Sequence, residues 1–291
     1  WGPTLCAALL FSGCAFAWHP PEEDTNGRPA KIEEFIIEEN DSTIYTLKLA
    51  YDQDGFPSYF FRNVFTPVCF TDVCKPVYID IYWDLLGNYV RYEVPPDEPL
   101  TKVDHKEFDE SDHKQLHNIL SNRSSILKDY SIYELVDNKT YNLSDSVDAV
   151  TGATPKTIRN EVIGGAVYTC YTLWHIVNGP VVDEMRNITE RKHSPKMIDQ
   201  FLRSQNHHYQ YWAIDKVVSA KGKVDEEFFS TLLHIIKGEN IFLASYTLKQ
   251  ISPEYFSSSD SLQQWLWSAY QTGTYRLQMD ILEKIKLISL S

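Results

Sequence analysis

The stretch that decides the fold is KPVYIDIYWDLLGNYVRYEV, Lys75–Val94. Val77, Ile79, Ile81 and Trp83 alternate with Tyr78, Asp80 and Tyr82. A period of two is what a half-buried strand requires, because successive side chains point to opposite faces. Gly87-Asn88 then marks a turn, and Tyr89–Val94 returns as a partner strand. VPPDEP ends the ladder, since proline has no N–H to donate. The chain therefore contains a β-hairpin.

Upstream, FIIEEN and IYTLKLAY read as two further strands joined by polar turns. Downstream the period changes. SDHKQLHNIL places Leu116, Ile119 and Leu120 on one helical face, with Ser111 or Asp112 as N-cap. PKTIRNEVIGGAVYTCYTLWHIV reads as one long helix. It opens at Thr154-Pro155 and stops at Asn178-Gly179-Pro180. Beyond residue 185 no strand pattern appears. SPKMIDQFLRS, HYQYWAIDKVVSA, DEEFFSTLLHIIKG, NIFLASYTLKQI, DSLQQWLWSAYQTG and YRLQMDILEKIKLI read as short amphipathic helices. Their lengths and short connectors suggest helical hairpins stacked side by side, in the manner of HEAT-like repeats. The expected class is α+β, followed by an all-α half. The divisions are a signal at 1–17, a linker at 18–34, a mixed domain at 35–184 and a helical domain at 185–291.

The 291 residues are 43% hydrophobic and 13% aromatic, enough to fill two cores. A net charge of −13 argues against nucleic acid, which needs a basic face. TLCAALLFSGCAFAWHPPEEDTNGRP has the apolar run and small residues of an export signal. Ala15-Phe16-Ala17 fits simple cleavage; Gly13-Cys14 fits a lipoprotein site, with Cys14 carrying a lipid anchor. Both versions predict an exported protein, periplasmic or anchored to a bacterial envelope membrane; a buried N-terminal helix is the alternative. No later stretch has 18 consecutive apolar residues.

In an oxidising compartment Cys69 and Cys74 would close a small disulfide loop, a staple at the head of the hairpin. A redox-active pair is the alternative. Cys170 stands alone in an apolar segment. His113 and His117 have i, i+4 spacing, which can hold a metal, but no third ligand follows; a solvated helix face is expected, and no metal site. His207 and His208 are expected at the surface, pointing apart. His175 reads as a satisfied core histidine. Asp80 and Asp84 read as solvated hairpin residues rather than a catalytic pair. Five Asn-x-Ser/Thr sequons begin at Asn40, Asn122, Asn138, Asn142 and Asn187.

The one stretch with chemistry in it is SVDAVTGATPKTIRNE, Ser146–Glu161. Thr154 precedes a proline at the first helical position and caps that helix well. Gly152 and Ala153 leave the backbone room, and a helix N-terminus favours phosphate. Tyr168, Tyr171 and Trp174 lie on the helix that follows.

DAVTGAT resembles the flavinylation motif Asp-x-x-(Ser/Thr)-Gly-Ala-Thr of FMN-binding-domain proteins. That domain occurs in the C subunit of the sodium-pumping NADH:quinone reductase and the G subunit of the Rnf complex. The resemblance spans about residues 35–180. It implies that Asp148 is the motif acid and Thr151 the small hydroxyl position. Gly152 and Ala153 form the tight turn, and Thr154 is the acceptor to which a flavin transferase joins FMN through its phosphate. Apart from the resemblance, Tyr168, Tyr171 and Trp174 on the helix behind the loop are read as flat surfaces for the flavin ring. Such a chain has no catalytic residues of its own. It is a redox carrier or an oxidoreductase subunit, passing electrons between partner proteins, with the helical half free to bind a further protein. The alternatives are a non-redox scaffold and a thiol–disulfide protein using Cys69 and Cys74.

Overall fold

The computed structural model describes residues 29–68, 75–102, 105–135 and 158–288. They fold as α+β. Five strands form one antiparallel sheet in the order β1-β2-β3-β4-β5. These are β1 Lys31–Asn40, β2 Thr43–Tyr51, β3 Pro57–Thr66, β4 Val77–Trp83 and β5 Tyr89–Glu93. All four connections join neighbouring strands. The alternation in β4 sets the register. Val77, Ile79, Ile81 and Trp83 are buried, and so are Leu47, Leu49, Phe60 and Val64 on the same face. The other face carries Ile36, Lys48, Phe61, Tyr82 and Arg91.

Strand β3 escapes the sequence pattern. Its PSYFFRNVFT has aromatics on both faces, so the period of two is blurred. The hairpin at residues 84–88 is tighter than the sequence suggests. Asp84 is buried, and its carboxylate accepts N–H bonds from Leu86 and Asn88, both at 2.9 Å. Its second oxygen takes the Asn88 carboxamide at 2.8 Å. Asp84 is thus not a solvated hairpin residue but the hub of the turn. Gly87 takes φ +74°, and a Cβ there would meet Val182 at 2.9 Å.

Helix α1, Glu110–Ser121, is capped by Asp109 rather than by Ser111 or Asp112. Asp109 accepts from the Asp112 N–H, and the Asp112 carboxylate takes the Asp109 N–H in return. Lys102 also donates to Asp112, at 2.5 Å. Helix α2 corrects a larger expectation. It spans Val167–Asn178 and does not begin at Pro155. Ahead of it come a 3-10 turn at Arg159–Glu161 and the Gly164-Gly165 pair, with Gly165 at φ +84°. Glycine costs about 1 kcal/mol per residue in a helix interior, and two together end one. Pro155 and Thr154 lie outside the described residues.

The chain divides into two compact units, one ending at Val182 and the other starting at Asp183. The second is helical: α3 Val181–Lys192 leads into it, then α4 Pro195–Leu202, α5 His207–Val217, α6 Phe229–Ile236, α7 Ile241–Gln250, α8 Pro253–Ser257, α9 Asp260–Thr272 and α10 Tyr275–Leu287. Helix α4 packs on α5, α6 on α7, and α10 on both α7 and α9. Leu232, Ile236, Leu248, Phe256 and Ile281 are fully buried. Among the described residues no helix is long and apolar enough to cross a membrane.

One turn in this unit has no latitude. Val218 and Val224 bridge, with Gly222 between them at φ +72°. The Gly222 carbonyl accepts the Ser252 N–H at 2.9 Å, and a Cβ on Gly222 would come within 2.5 Å of that nitrogen. Left-handed backbone costs a non-glycine residue about 1–2 kcal/mol before any clash. Gly222→Ala is therefore expected to destabilise unit 2 by about 2–3 kcal/mol. A urea titration followed by helical circular dichroism reads this as a lowered midpoint with an unchanged slope.

Candidate functional site

The α2 side chains of the first unit form its densest set of polar contacts. The helix is apolar enough to be buried along Val167, Cys170, Leu173 and Val177. Its other side chains are donors, and they hold the segment between α1 and residue 130. Tyr171 Oη donates to the Tyr130 carbonyl at 2.9 Å. Trp174 Nε1 donates to the Asn122 carbonyl at 2.9 Å. His175 Nε2 lies 3.1 Å from the Leu127 carbonyl, and Asn178 Nδ2 donates to the Leu120 carbonyl at 3.1 Å. The Asn122 and Leu127 carbonyls also accept the N–H groups of Ser125 and Tyr130, so there the α2 side chains add a second bond. From the sheet, Trp83 Nε1 reaches the Val177 carbonyl at 2.9 Å.

The electrostatics follow from burial. Burial pushes the His175 imidazole below its ordinary value, against the opposing pull of its bond to Leu127. Burial pushes the Tyr171 phenol up, and Glu134 adds to the rise. His175 is the satisfied histidine the sequence suggests. Its ring lies 4.2 Å from that of Tyr171 and 5.0 Å from that of Trp174. The Cys170 thiol is buried and accepts the Ile163 N–H at 3.3 Å.

Of the expected site residues, Tyr168, Tyr171 and Trp174 come at three-residue steps along α2. Trp174 is buried with its N–H committed, so its ring belongs to the packing. Tyr168 and Tyr171 are half-exposed. Asp148, Thr151, Gly152, Ala153 and Thr154 lie outside the described residues, as do Cys69 and Cys74.

His113 and His117 depart from expectation. They do not sit on a solvated face. Both are half-buried against β5, where Tyr92 Oη lies 2.7 Å from His113 Nδ1 and Tyr89 Oη lies 3.1 Å from His117 Nδ1. Among the described residues no group of three metal-ligating side chains forms. His207 and His208 are exposed, as expected, but their rings lie 4.3 Å apart rather than diverging, because both sit in the first turn of α5.

Sequence reasoning missed a row on the open sheet face. Lys48, Phe61, Tyr82 and Arg91 are opposite one another across four strands. The Arg91 guanidinium lies 3.8 Å from the centroid of the Tyr82 ring, Tyr82 stacks on Phe61 at 5.9 Å, and Lys48 Nζ is 5.5 Å from the Phe61 centroid. Burial raises the Tyr82 phenol, and Glu93, which accepts its hydrogen bond at 3.0 Å, raises it further. Asn63 bridges Lys48 to Asp80 in the next row, at 2.8 and 2.6 Å. Asp80 thus faces open sheet while Asp84 is enclosed, so the two carboxylates share no cleft. The signal for this row is the strand register, which composition does not carry.

No family model, curated protein or solved structure matches the chain.

Proposed function

We propose that the chain is an exported electron-transfer protein carrying FMN through a phosphoester on Thr154. The observation that carries this reading is the heptad Asp148–Thr154, DAVTGAT, which meets every constrained position of the flavinylation motif. In this reading residues 35–184 are an FMN-binding-like domain and residues 185–291 are stacked HEAT-like hairpins. The N-terminal segment directs the protein to the periplasm or to a lipid anchor.

The residue chemistry suits the attachment. A flavin transferase acting on FAD joins Thr154 Oγ1 to the FMN phosphorus. The pyrophosphate bond breaks, AMP leaves, and the hydroxyl proton is released. A threonine alcohol is a weak nucleophile, and the transferase supplies the activation, so no base is required in this chain. Bound flavin supplies one- and two-electron chemistry, and the protein supplies orientation and exclusion of water. Tyr168 and Tyr171 are half-buried, and the Tyr171 hydroxyl is bonded to the Tyr130 carbonyl. Trp174 fits a stacking role poorly, since its indole is enclosed and bonded to Asn122.

A second reading draws on the helical unit. Phe242, Trp267 and Tyr275 are 75%, 53% and 78% exposed there, side chains that a docked protein would bury. A scaffold that docks a protein through these helices would carry no flavin.

Co-expression with a flavin transferase separates the two. Wild type is expected to show flavin fluorescence in its denatured gel band, and Thr154→Ala is expected to show none. A colourless native protein, with no fluorescent band in either form, overturns the carrier and leaves the scaffold.

A further inference from the structure

We propose that the pairs Tyr89–His117 and Tyr92–His113 form an acid-sensitive latch that holds α1 against the edge strand β5. The inference is independent of any flavin. It begins from spacing. His113 and His117 are one helical turn apart on α1, so they share a face. Tyr89 and Tyr92 are on β5, and both phenols reach the facing Nδ1, at 3.1 and 2.7 Å. The ring centroids lie 5.3 and 6.0 Å apart. β5 has five residues and among the described residues pairs with one strand, β4. Tyr89 and Tyr92 pair with Trp83 and Ile81, so α1 holds β5 through the buried face of the sheet.

Protonation changes what these bonds can be. In the Nε2–H tautomer a neutral imidazole accepts the phenol hydrogen at Nδ1; an imidazolium has no free lone pair and can only donate Nδ1–H to the phenol oxygen, so the bond must reverse. The phenol hydrogen must then turn elsewhere. Tyr92 has an alternative, the His113 carbonyl at 3.3 Å. Tyr89 makes one hydrogen bond among the described residues. Two imidazoliums at i, i+4 on a half-buried face also repel each other.

The surroundings differ between the two. Around His113 lie the carboxylates of Asp112 and Asp109, which favour its charged form, although burial outweighs them and lowers it. Asp112 is already committed to Lys102 and the Asp109 N–H, with Lys106 nearby. His117 is lowered by burial alone. From β5, both phenols are raised chiefly by burial; Arg91 acts on Tyr89, and Cys170 of α2 on Tyr92. From α1 itself, Gln115 donates to the Val162 carbonyl at 3.0 Å, a neutral tie to the segment ahead of α2 that survives acid. The latch therefore releases β5 while α1 stays with α2.

The sign follows from proton binding. Between the lowered folded values and the ordinary histidine value of about 6.5, the open state binds more protons than the latched one. Latch stability therefore falls as the pH drops through that window.

The experiment uses the full chain. Histidine Cε1 resonances give the two titrations, and hydrogen exchange corrected for intrinsic rate gives protection across about pH 7.5 to 4.5. Both histidines are expected to titrate below about 6.5. Protection over β5 should fall about tenfold while α1, α6 and α7 hold theirs. The H113Q/H117Q double variant keeps an acceptor without a titrating group and should abolish the fall. His175, untouched in that variant, serves as the internal reference. Either histidine titrating at or above about 6.5, flat protection over β5, or a fall that persists in the double variant overturns the latch. Should the double variant fail to fold, the wild-type titrations decide alone.

Discussion

Trp83→Ala is expected to lower the stability of the first unit by about 3–5 kcal/mol, the largest single loss available in the sheet. Trp83 is fully buried on β4, opposite Phe60 on β3. Truncation removes the transfer free energy of an indole and leaves a cavity that strands on both sides prevent from closing. It also removes the donor that satisfies the Val177 carbonyl at 2.9 Å. A buried acceptor left without its partner adds about 1–3 kcal/mol at other sites, and part of that is inside the figure given. Trp83→Phe divides the two contributions. It keeps most of the apolar area and loses the N–H, so it should cost about 1–2 kcal/mol. Since whole domains are stable by about 5–15 kcal/mol, the alanine variant should be partly unfolded near physiological temperature. Denaturant titration followed by near-ultraviolet circular dichroism measures both. Equal losses for the two variants would mean that the hydrogen bond, not the packing, joins β4 to α2.

The weight of Trp83 is legible in the sequence, because it continues the alternation of Val77, Ile79 and Ile81. Its partner is not. Val177 lies 94 positions away, and no local pattern announces a carbonyl. The same contrast runs through the molecule. Strands β1, β2, β4 and β5 follow from apolar alternation, and the helices beyond residue 185 from three- and four-residue steps. Strand β3 is hidden because Phe60, Phe61 and Phe65 blur which face is buried. Helix α2 reads as too long because an apolar run hides two glycines whose backbone cost outweighs the hydrophobic continuity of Ile163 and Ala166. His113 and His117 read as solvated because a charged neighbourhood, Asp109 to Lys114, surrounds them in sequence, whereas the sheet contributes two tyrosines from 21 to 28 residues upstream. For the candidate site the asymmetry is reversed. The heptad Asp148–Thr154 is visible only as sequence, and the described residues contribute the neighbouring α2 with its half-exposed Tyr168 and Tyr171.

Asp84→Ala should be the costliest polar substitution in the sheet, although the residue reads as an ordinary acid at a hairpin end. The carboxylate is nearly enclosed, 9% exposed, and holds the Leu86 and Asn88 N–H groups and the Asn88 carboxamide. Hydrogen bonds to a charged acceptor contribute about 1.5–3 kcal/mol each, but these three share one side chain and do not add fully. Alanine removes them together and leaves two backbone donors in a turn that Gly87, at φ +74°, lets Val182 approach closely. The expected loss is about 3 kcal/mol. Asp84→Asn separates charge from connectivity. One oxygen can still accept from both backbone N–H groups, while the new amide faces the Asn88 amide as donor against donor. That variant should lose about half as much. Its turn should stay formed, read by protection of the Asn88 amide from exchange, while the Asp84→Ala turn opens. If both variants lose the Asn88 protection equally, the negative charge itself closes the turn, and the geometry of the single acceptor oxygen is secondary.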